Sequence, residues 1–374
     1  MVKDNRIEIL DIYRFIAILS VMLYHYYSRW TPPINSVSLY PFGGNFKNYF
    51  SLGYLGVSFF FIISGFVIAF TLTNTDGFFE FWKKRLIRLM PAMLICSLIT
   101  FIVFRLLDTN FLFPESHSVR NIIFSQTFIS PELKNIVFGD KLRGTYINGS
   151  YWSLWTEIQF YLIASLIYFI NKKNFVFNIT FFSICICIVN YILIRVFTNA
   201  LTTNILHLST SAEFINKYIF WTQFVFNYII YSLYFVLGVL FFQIYLRKKM
   251  IESIFLLLIS IFLLLFLNHG FDFRQFLPIH SLFIMITLFL LFLHYSEQLK
   301  FLAITPISNI GIASYSLYLI HENIGVLLIN KYATIFGVYS FLFPIIVIIM
   351  MICFSLLSYK YIEKPLGLYL KKII

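Results

Sequence analysis

Charged residues are scarce in this sequence. Asp, Glu, Lys and Arg together make up 12% of its 374 residues, whereas soluble globular domains carry about 25%. Hydrophobic residues reach 60% and aromatic residues 21%, so the chain has too few polar side chains to cover a globule of this size in water. The composition therefore excludes a soluble enzyme, a disordered chain and a secreted scaffold held together by disulfides.

Cysteine is also rare, with four residues in the whole chain. Cys96, Cys185, Cys187 and Cys353 all lie inside apolar runs. One residue separates Cys185 from Cys187, which is not a zinc or redox spacing, and the histidines are scattered without ligand spacing. We therefore expect small buried hydrophobic side chains at these positions, and neither a disulfide nor a metal centre.

Long apolar runs dominate the remaining sequence. A transmembrane helix needs about 20 predominantly apolar residues, and continuous runs of this length are too long for the strands of a membrane barrel. The sequence thus predicts an all-α integral membrane protein with about ten transmembrane helices, at 9–28, 53–73, 89–107, 151–170, 175–197, 218–246, 251–268, 276–295, 307–329 and 335–358.

The basic residues predict the orientation of these helices. If the N-terminus is cytoplasmic, the inside segments carry sixteen of the 28 Lys and Arg residues, and the longer outside segments carry nine. This asymmetry follows the positive-inside rule, so both chain ends are expected in the cytoplasm. Much of the net charge of +12 then serves to orient the helices in the membrane, so a nucleic-acid partner is not required to explain it.

A few ionisable residues remain inside the predicted spans. Each is expensive in a bilayer, by at least a few kcal/mol, and therefore marks a candidate functional position. They are Asp11, Arg14 and His25 in the first span, Glu157 in the fourth, His280 in the eighth, and His321 with Glu322 in the ninth.

The first span carries two of these groups on one face. Arg14 and His25 are eleven residues apart, which is within about 20° of whole helical turns and corresponds to a rise of about 16 Å. Asp11 precedes Arg14 by three residues, so the two can form an ion pair. The alternative interpretation is a salt-bridged interior face, with His25 reaching toward the outer surface.

Glu157 is a candidate partner for His25. Both residues lie a few positions below the outer surface, so a histidine–carboxylate pair forms if their spans are neighbours. Such a pair would fix the imidazole tautomer and raise its basicity. Alternatively, Glu157 faces a polar loop within an aromatic belt.

Two further groups have both a functional and a structural interpretation. Tyr318 and His321 share one face of the ninth span, either as catalytic groups or as interior hydrogen-bonding residues. Arg85 and Arg88 can converge near Arg14 at the inner rim, where they would grip phosphates. The alternative for the arginines is a membrane anchor that contacts anionic lipids.

Six short patterns follow one another along the chain. They are Leu10-Asp11-x-x-Arg14-x-x-Ala17 with His25 at the end of the span, Gly56-Val-x-x-Phe-Phe-x-x-Ser64-Gly65-Phe66, Lys84-Arg85-Leu-x-Arg88-Leu-x-Pro91, Trp152-Ser-Leu-x-x-Glu157-x-Gln-Phe-Tyr161, Ser314-Tyr-Ser-Leu-Tyr318-Leu-x-His321, and Tyr361-Ile-Glu363-x-Pro365. In this order they resemble the membrane-bound acyltransferase 3 family.

The resemblance implies transfer of an acyl group, commonly acetyl, from a cytoplasmic CoA thioester to a hydroxyl. The implied acceptor is an extracytoplasmic carbohydrate, such as a surface polysaccharide or a glycolipid. The expected partners are therefore acetyl-CoA or another acyl-CoA, that acceptor, and membrane lipids. The expected location is the inner membrane of a bacterium. Some members carry an additional soluble domain, but here we expect residues 1–374 to form a single transmembrane domain.

The residues and the resemblance together suggest roles for eight side chains. His25 is expected to act as the general base or as a covalent acyl carrier, with Glu157 orienting it. Tyr318 or His321 would donate a hydrogen bond to the developing oxyanion. The donor-binding residues would be Arg14, Arg85, Arg88 and Ser64, although Ser64 and its neighbour Gly65 are also typical of close helix packing.

Two other classes of protein fit the same composition. A multi-span transporter would also contain buried charges, but many such folds show inverted repeats, and none is evident between the two halves of the sequence. A polymerase or ligase of lipid-linked glycans would be expected to concentrate its charges in a large outside loop. The cytoplasmic basic cluster favours acyl transfer over both.

Overall fold

A computed structural model describes residues 7–31, 38–139, 144–202, 208–271, 279–295, 298–299 and 305–373. Throughout these ranges the chain forms helices and no β-strand, which confirms the predicted all-α class. The chain divides into two compact units. Unit 1 comprises Met1–Phe60, Trp82–Ser153 and Glu297–Ile374, and unit 2 comprises Phe61–Phe81 and Leu154–Ser296.

The described residues contain sixteen α-helices. They are α1 (Glu8–Tyr27), α2 (Lys47–Phe50), α3 (Gly56–Thr73), α4 (Phe78–Leu107), α5 (Val119–Ser125), α6 (Pro131–Phe138), α7 (Trp152–Ile170), α8 (Phe175–Thr202), α9 (Leu208–Phe220), α10 (Tyr228–Tyr245), α11 (Met250–Phe271), α12 (Ile279–Tyr295), α13 (Thr305–Ile312), α14 (Ser314–Tyr332), α15 (Phe343–Ser358) and α16 (Lys364–Ile373).

Eight helical stretches of the described chain are long and apolar enough to cross a membrane, as expected for an integral membrane protein. The predicted number was ten. One stretch, Ser314–Ile373, contains the tenth predicted span and residues 314–329 of the ninth, and α12 is described over 17 residues, fewer than any of the eight stretches. Residues 276–278 of the predicted eighth span lie outside the described residues. The number ten and the orientation stay predictions.

Two helical irregularities interrupt predicted spans. Gly337 has a φ of 52° between α14 and α15, a left-handed conformation that glycine adopts readily and that interrupts a right-handed helix. The predicted span 218–246 is broken by the π-helical turn Trp221–Val225 before α10 begins. Neither break has a strong signature in an apolar sequence.

The core of unit 1 is built around α1. This helix packs against α13 and α14, and α14 packs against α15. At the contact between α1 and α13, a β-carbon on Gly311 would collide with the backbone of Asp11. A glycine at this position therefore lets the two helices approach backbone to backbone.

In unit 2, α10 packs against α8, α11 and α12. The unit 2 part of α3 also lies close to α10. A β-carbon on Gly65 would collide with the carbonyl of Phe235, and one on Gly238 would collide with the carbonyl of Ile62. The close packing predicted for Gly65 is thereby confirmed.

The segment between α4 and α7, which we call the outer segment after its predicted side of the membrane, belongs to unit 1 and carries α5 and α6. At its start, Asp108 accepts hydrogen bonds from the backbone of Leu112 and contacts Nε2 of His117 at 2.9 Å. At its end, the side-chain amide of Asn148 donates to the carbonyl of Leu319 on α14 at 3.0 Å. These bonds hold the end of the segment against the middle of α14.

Candidate active site

The centre of the candidate site is a histidine–carboxylate pair in unit 1. His25 lies near the end of α1 and Glu322 lies on α14, with Nδ1 of His25 3.3 Å from Oε1 of Glu322. Their side chains are 12% and 8% exposed. This Nδ1 makes no aligned hydrogen bond with any described residue. The imidazole and the carboxylate are therefore in contact without an aligned hydrogen bond between them.

Two tyrosines hold the backbone on either side of this pair. The Tyr26 hydroxyl on α1 donates to the carbonyl of His321 on α14 at 2.8 Å. The Tyr40 hydroxyl donates to the carbonyl of His25. The end of α1 is therefore hydrogen-bonded both to α14 and to the loop that follows α1, which limits movement of the His25 ring.

Gly149 covers the carboxylate of Glu322. A β-carbon at Gly149 would lie 3.1 Å from Oε2 of Glu322, and the Gly149 N–H donates to Oδ1 of the neighbouring Asn323 at 3.3 Å. The backbone of the outer segment thus packs directly on the site. The sequence alone predicts no role for Gly149, whose one signal is its position just before the Trp152 pattern.

His321 has a defined tautomer. Its Nδ1 lies 2.7 Å from the carbonyl oxygen of Tyr318, and a carbonyl can only accept, so Nδ1 carries the proton. The Nε2 atom is left as an acceptor without a partner among the described residues, in a side chain that is fully buried. The sequence analysis predicts that Tyr318 or His321 donates to an oxyanion; in this tautomer Nε2 of His321 is an acceptor and not a donor, and the predicted role stays a prediction.

Tyr318 is engaged with the outer segment. Its hydroxyl donates to the carbonyl of Ser150 at 3.1 Å and contacts the Ser153 hydroxyl at 2.8 Å. A tyrosine hydroxyl has one proton, so the predicted donation to an oxyanion would require Tyr318 to release Ser150. In this arrangement Tyr318 holds the outer segment against α14.

A cationic cluster lies toward the other end of α1. Nη1 of Arg14 contacts Oδ1 of Asp11 at 2.8 Å, which confirms the predicted pair. Both Arg85 and Arg88 on α4 interact electrostatically with the Arg14 guanidinium. Arg85 is buried and Arg88 is exposed. The structure therefore brings Arg85 and Arg88, two of the predicted donor-binding arginines, within electrostatic range of the third, Arg14.

Glu363 lies next to this cluster, although the sequence analysis gave it no role. Its Oε1 accepts hydrogen bonds from Ser316 at 2.6 Å and from Ser358 at 2.8 Å, and its charge interacts with Arg88. The closing pattern of the sequence was the signal that could have pointed to it.

The remaining predicted site residues lie in unit 2. Oε1 of Glu157 accepts hydrogen bonds from the hydroxyls of Ser64 and Tyr161, each at 2.6 Å. Among the described residues, the carboxylate that contacts His25 is Glu322, for which the sequence predicts a charge inside the membrane and no specific role. The roles predicted for Glu157 and Ser64 stay predictions.

The cysteines and the potential metal ligands form no centre in the described part of the chain. No group of three His, Cys, Asp or Glu residues is placed there to hold a metal ion. All four cysteines are free. Cys96 and Cys187 are buried as expected, Cys185 is half-buried, and Cys353 is exposed, which is explained by its position on the outward face of an apolar helix.

Comparison with known proteins identifies the family. The sequence profile described as "Acyltransferase domain" matches residues 7–360, which is nearly the whole chain. The chain belongs to the acyltransferase 3 family. This membership confirms the resemblance seen in the six sequence patterns, and it favours acyl transfer over the transporter and polymerase alternatives.

Named relatives of this acyltransferase 3 protein include two O-acetyltransferases. It is 30% identical over 157 residues to the O-acetyl transferase of Shigella phage Sf6, which covers 42% of this chain and 44% of the relative. It is 35% identical over 100 residues to the O-acetyltransferase OatA of Staphylococcus aureus, which covers 25% of this chain and 13% of the relative. The matches thus span less than half of either relative. No solved structure matches.

Proposed function

We propose that this protein is a membrane O-acetyltransferase. It would move an acetyl group from acetyl-CoA on the cytoplasmic side to a hydroxyl of an extracytoplasmic glycan or glycolipid, in the inner membrane of a bacterium. The family and the names of the two relatives support the acetyl transfer. The donor, the acceptor and the membrane are inferred from the chemistry of the residues and from the predicted orientation.

One observation carries the proposal. A single helix, α1, presents a cationic cluster around Arg14 and, about 16 Å further along, the His25–Glu322 pair. A polyanionic donor would bind at the first site, since guanidinium groups form strong hydrogen bonds with phosphates. The flexible arm of CoA is long and thin enough to carry the thioester between helices toward the second site.

The reacting group at the second site is His25. An imidazole beside a carboxylate can take up a proton or attack a carbonyl, because the carboxylate stabilises the imidazolium that results. Glu322 is the carboxylate in position to do this. Arg14, Arg85 and Arg88 would bind the CoA phosphates, and Ser64 and Glu157 remain predicted contributors to the same reaction.

The direct test compares the surface glycans of cells with and without the gene. We expect mass spectrometry to show acetylated glycan in cells that carry the gene, and its loss in cells that lack it or that express His25→Ala at normal membrane levels. An unchanged acetylation pattern in every envelope glycan would overturn the proposal. Full acetylation by the His25→Ala variant would show that His25 is not the catalytic residue.

The orientation requires its own test. A cysteine at Lys172, between α7 and α8, is expected to react with a membrane-impermeant thiol reagent only in inverted membrane vesicles. A cysteine at Asn110, just after α4, should react only from the outside of intact cells. The opposite pattern would place the arginine cluster outside and remove its access to a cytoplasmic donor.

A further inference from the structure

We propose that the acetyl group is carried on His25 during transfer, and that His321 is the base that activates the acceptor hydroxyl. This inference rests on the proposed function and deepens it. It assigns the two neighbouring imidazoles to two successive steps. His25 accepts the acetyl group in the first step, and Nε2 of His321 accepts the proton of the acceptor hydroxyl in the second.

The first observation is the tautomer of His321, which leaves one ring nitrogen able to accept a proton. Its Nδ1–H donates to the Tyr318 carbonyl at 2.7 Å, so the lone pair lies at Nε2. That nitrogen is fully buried and has no hydrogen-bond partner in the described part of the chain. Buried polar atoms in native proteins nearly always have a partner. A base held by a third group, with its lone pair free, is the arrangement that activates a hydroxyl nucleophile.

The second observation is the arrangement of the two imidazole rings. The ring centroids of His25 and His321 are 5.1 Å apart and the rings are inclined by 71°. Among the described residues, His25 contacts a carboxylate through Nδ1, and His321 contacts none. Two imidazolium charges this close would repel each other in a buried site, so the two rings cannot be charged together. A one-step transfer needs one base, whereas a two-step transfer uses both rings in turn.

The first step transfers the acetyl group to the protein. Nε2 of His25 bonds to the carbonyl carbon of the thioester, and the carbon–sulfur bond breaks with its electron pair leaving on the CoA thiolate. The acetylated imidazole is positively charged, and the carboxylate of Glu322 beside Nδ1 stabilises it. No oxidant, metal or further reactant is required.

The second step releases the acetyl group to the acceptor. The acceptor hydroxyl oxygen bonds to the acetyl carbon while its proton passes to Nε2 of His321, and the carbon–nitrogen bond breaks with its electron pair returning to His25. The proton then leaves His321 to protonate the thiolate or reach solvent. The products are one ester and one thiol, and both histidines are restored.

This order of events permits donor and acceptor to bind at different times. It therefore predicts a reaction that needs no acceptor, namely exchange of isotopically labelled CoA into acetyl-CoA. The experiment uses the whole purified protein in lipid nanodiscs, with acetyl-CoA and labelled CoA as probes. We expect exchange by the unmodified protein, an acetyl group on the peptide that contains His25, and neither with His25→Asn.

The second arm uses His321→Asn. An asparagine amide can still donate to the Tyr318 carbonyl, but it supplies no basic nitrogen. We expect exchange to persist within a few-fold and acetylated protein to accumulate, while glycan acetylation in cells falls by roughly 10²–10⁴-fold, the usual contribution of a general base. His321→Gln provides the same comparison if the Asn variant is not recovered from membranes.

His294→Asn is the matched control. His294 also faces a backbone carbonyl of its own helix, that of Leu290 at 3.1 Å, but its side chain is exposed. We expect it to leave exchange, protein acetylation and glycan acetylation unchanged.

The outcomes separate this inference from the proposed function. Absence of glycan acetylation by the unmodified protein would refute the proposed function itself. Glycan acetylation without CoA exchange would refute the carried acetyl group alone. Equal loss of exchange and glycan acetylation in His321→Asn, at unchanged thermal stability, would refute the role of His321 as the second base.

Discussion

The backbone of Gly149 lies against the carboxylate of Glu322, so close that a β-carbon would stand 3.1 Å from Oε2. The outer segment and α14 therefore meet at the group that contacts His25. Because the outer segment is also anchored to α14 through Asn148, Glu322 cannot move away freely. The orientation of the carboxylate thus depends on the glycine that begins the 3₁₀ turn Gly149–Tyr151, just before α7.

Gly149→Ala is expected to lower acetyl transfer several-fold while leaving the protein folded. The added methyl group displaces Glu322 by a few tenths of an ångström, and small misplacements near reacting groups slow catalysis strongly. The measurement is the acetate content of surface glycan at matched protein levels. Gly77→Ala is the control, because a β-carbon there meets nothing within 4 Å. Equal activity of both variants would contradict the predicted role of Gly149.

Glu322→Gln keeps the shape of the side chain and removes its charge. We expect a fall in transfer rate of roughly 10²–10⁴-fold, with little change in the acetyl-CoA concentration that gives half-maximal rate, because the imidazolium of His25 loses its counter-charge. Glu213→Gln, a change at an exposed residue, is the control. A rate near that of the unmodified protein would remove Glu322 from the mechanism. The same assay on Glu157→Gln tests the role predicted for Glu157.

The two carboxylates show how far the sequence could lead. Depth along a span can be read from residue number, and it placed His25 near the outer end of its helix. Which helices are neighbours cannot be read in this way, because nearly every span is apolar on all sides. Depth alone therefore predicts Glu157 as the partner of His25. The contact between α1 and α14 instead brings Glu322 to His25.

Local relationships were easier to predict than contacts between helices. The Asp11–Arg14 pair follows from a three-residue spacing on one helix, and it is present at 2.8 Å. The cover over Glu322, in contrast, depends on how the outer segment packs against α14, and this packing leaves no pattern in the sequence.

Arg88→Gln is expected to raise the acetyl-CoA concentration needed for half-maximal rate by roughly tenfold or more, since a hydrogen bond to a charged group contributes about 1.5–3 kcal/mol. Arg88→Lys should recover part of the effect, and added salt should weaken it because Arg88 is exposed. Initial rates against acetyl-CoA in nanodiscs give this value.

Arg105→Gln is the control for Arg88, because Arg105 lies at the far end of the same helix, α4, and is also exposed. A change confined to membrane insertion, with normal acetyl-CoA dependence in the protein that remains, would show that Arg88 is a topological anchor.

The last prediction concerns Lys134 of α6, in the outer segment. Its ammonium donates to the carbonyl of Phe124 at 2.9 Å and lies 4.5 Å from the centre of the Phe124 ring. Burial lowers the pKa of Lys134 to about 8, against an opposing attraction from Glu132. The ordinary value of 10.5 applies to the unfolded chain, so between these two values the unfolded state binds more protons than the folded state. The contribution of Lys134 to the free energy of unfolding therefore rises with pH between the two pKa values.

Lys134→Met removes this titration. We expect the melting temperature of the unmodified protein, relative to the variant, to increase from pH 8 to pH 10 in nanodiscs and to stay constant below pH 7. Lys217→Met, at a residue with 69% of its side chain exposed, should show no such trend. Parallel curves for the unmodified protein and Lys134→Met across the whole range would mean that the ammonium is solvated, and that the outer segment does not bury it as the structure shows.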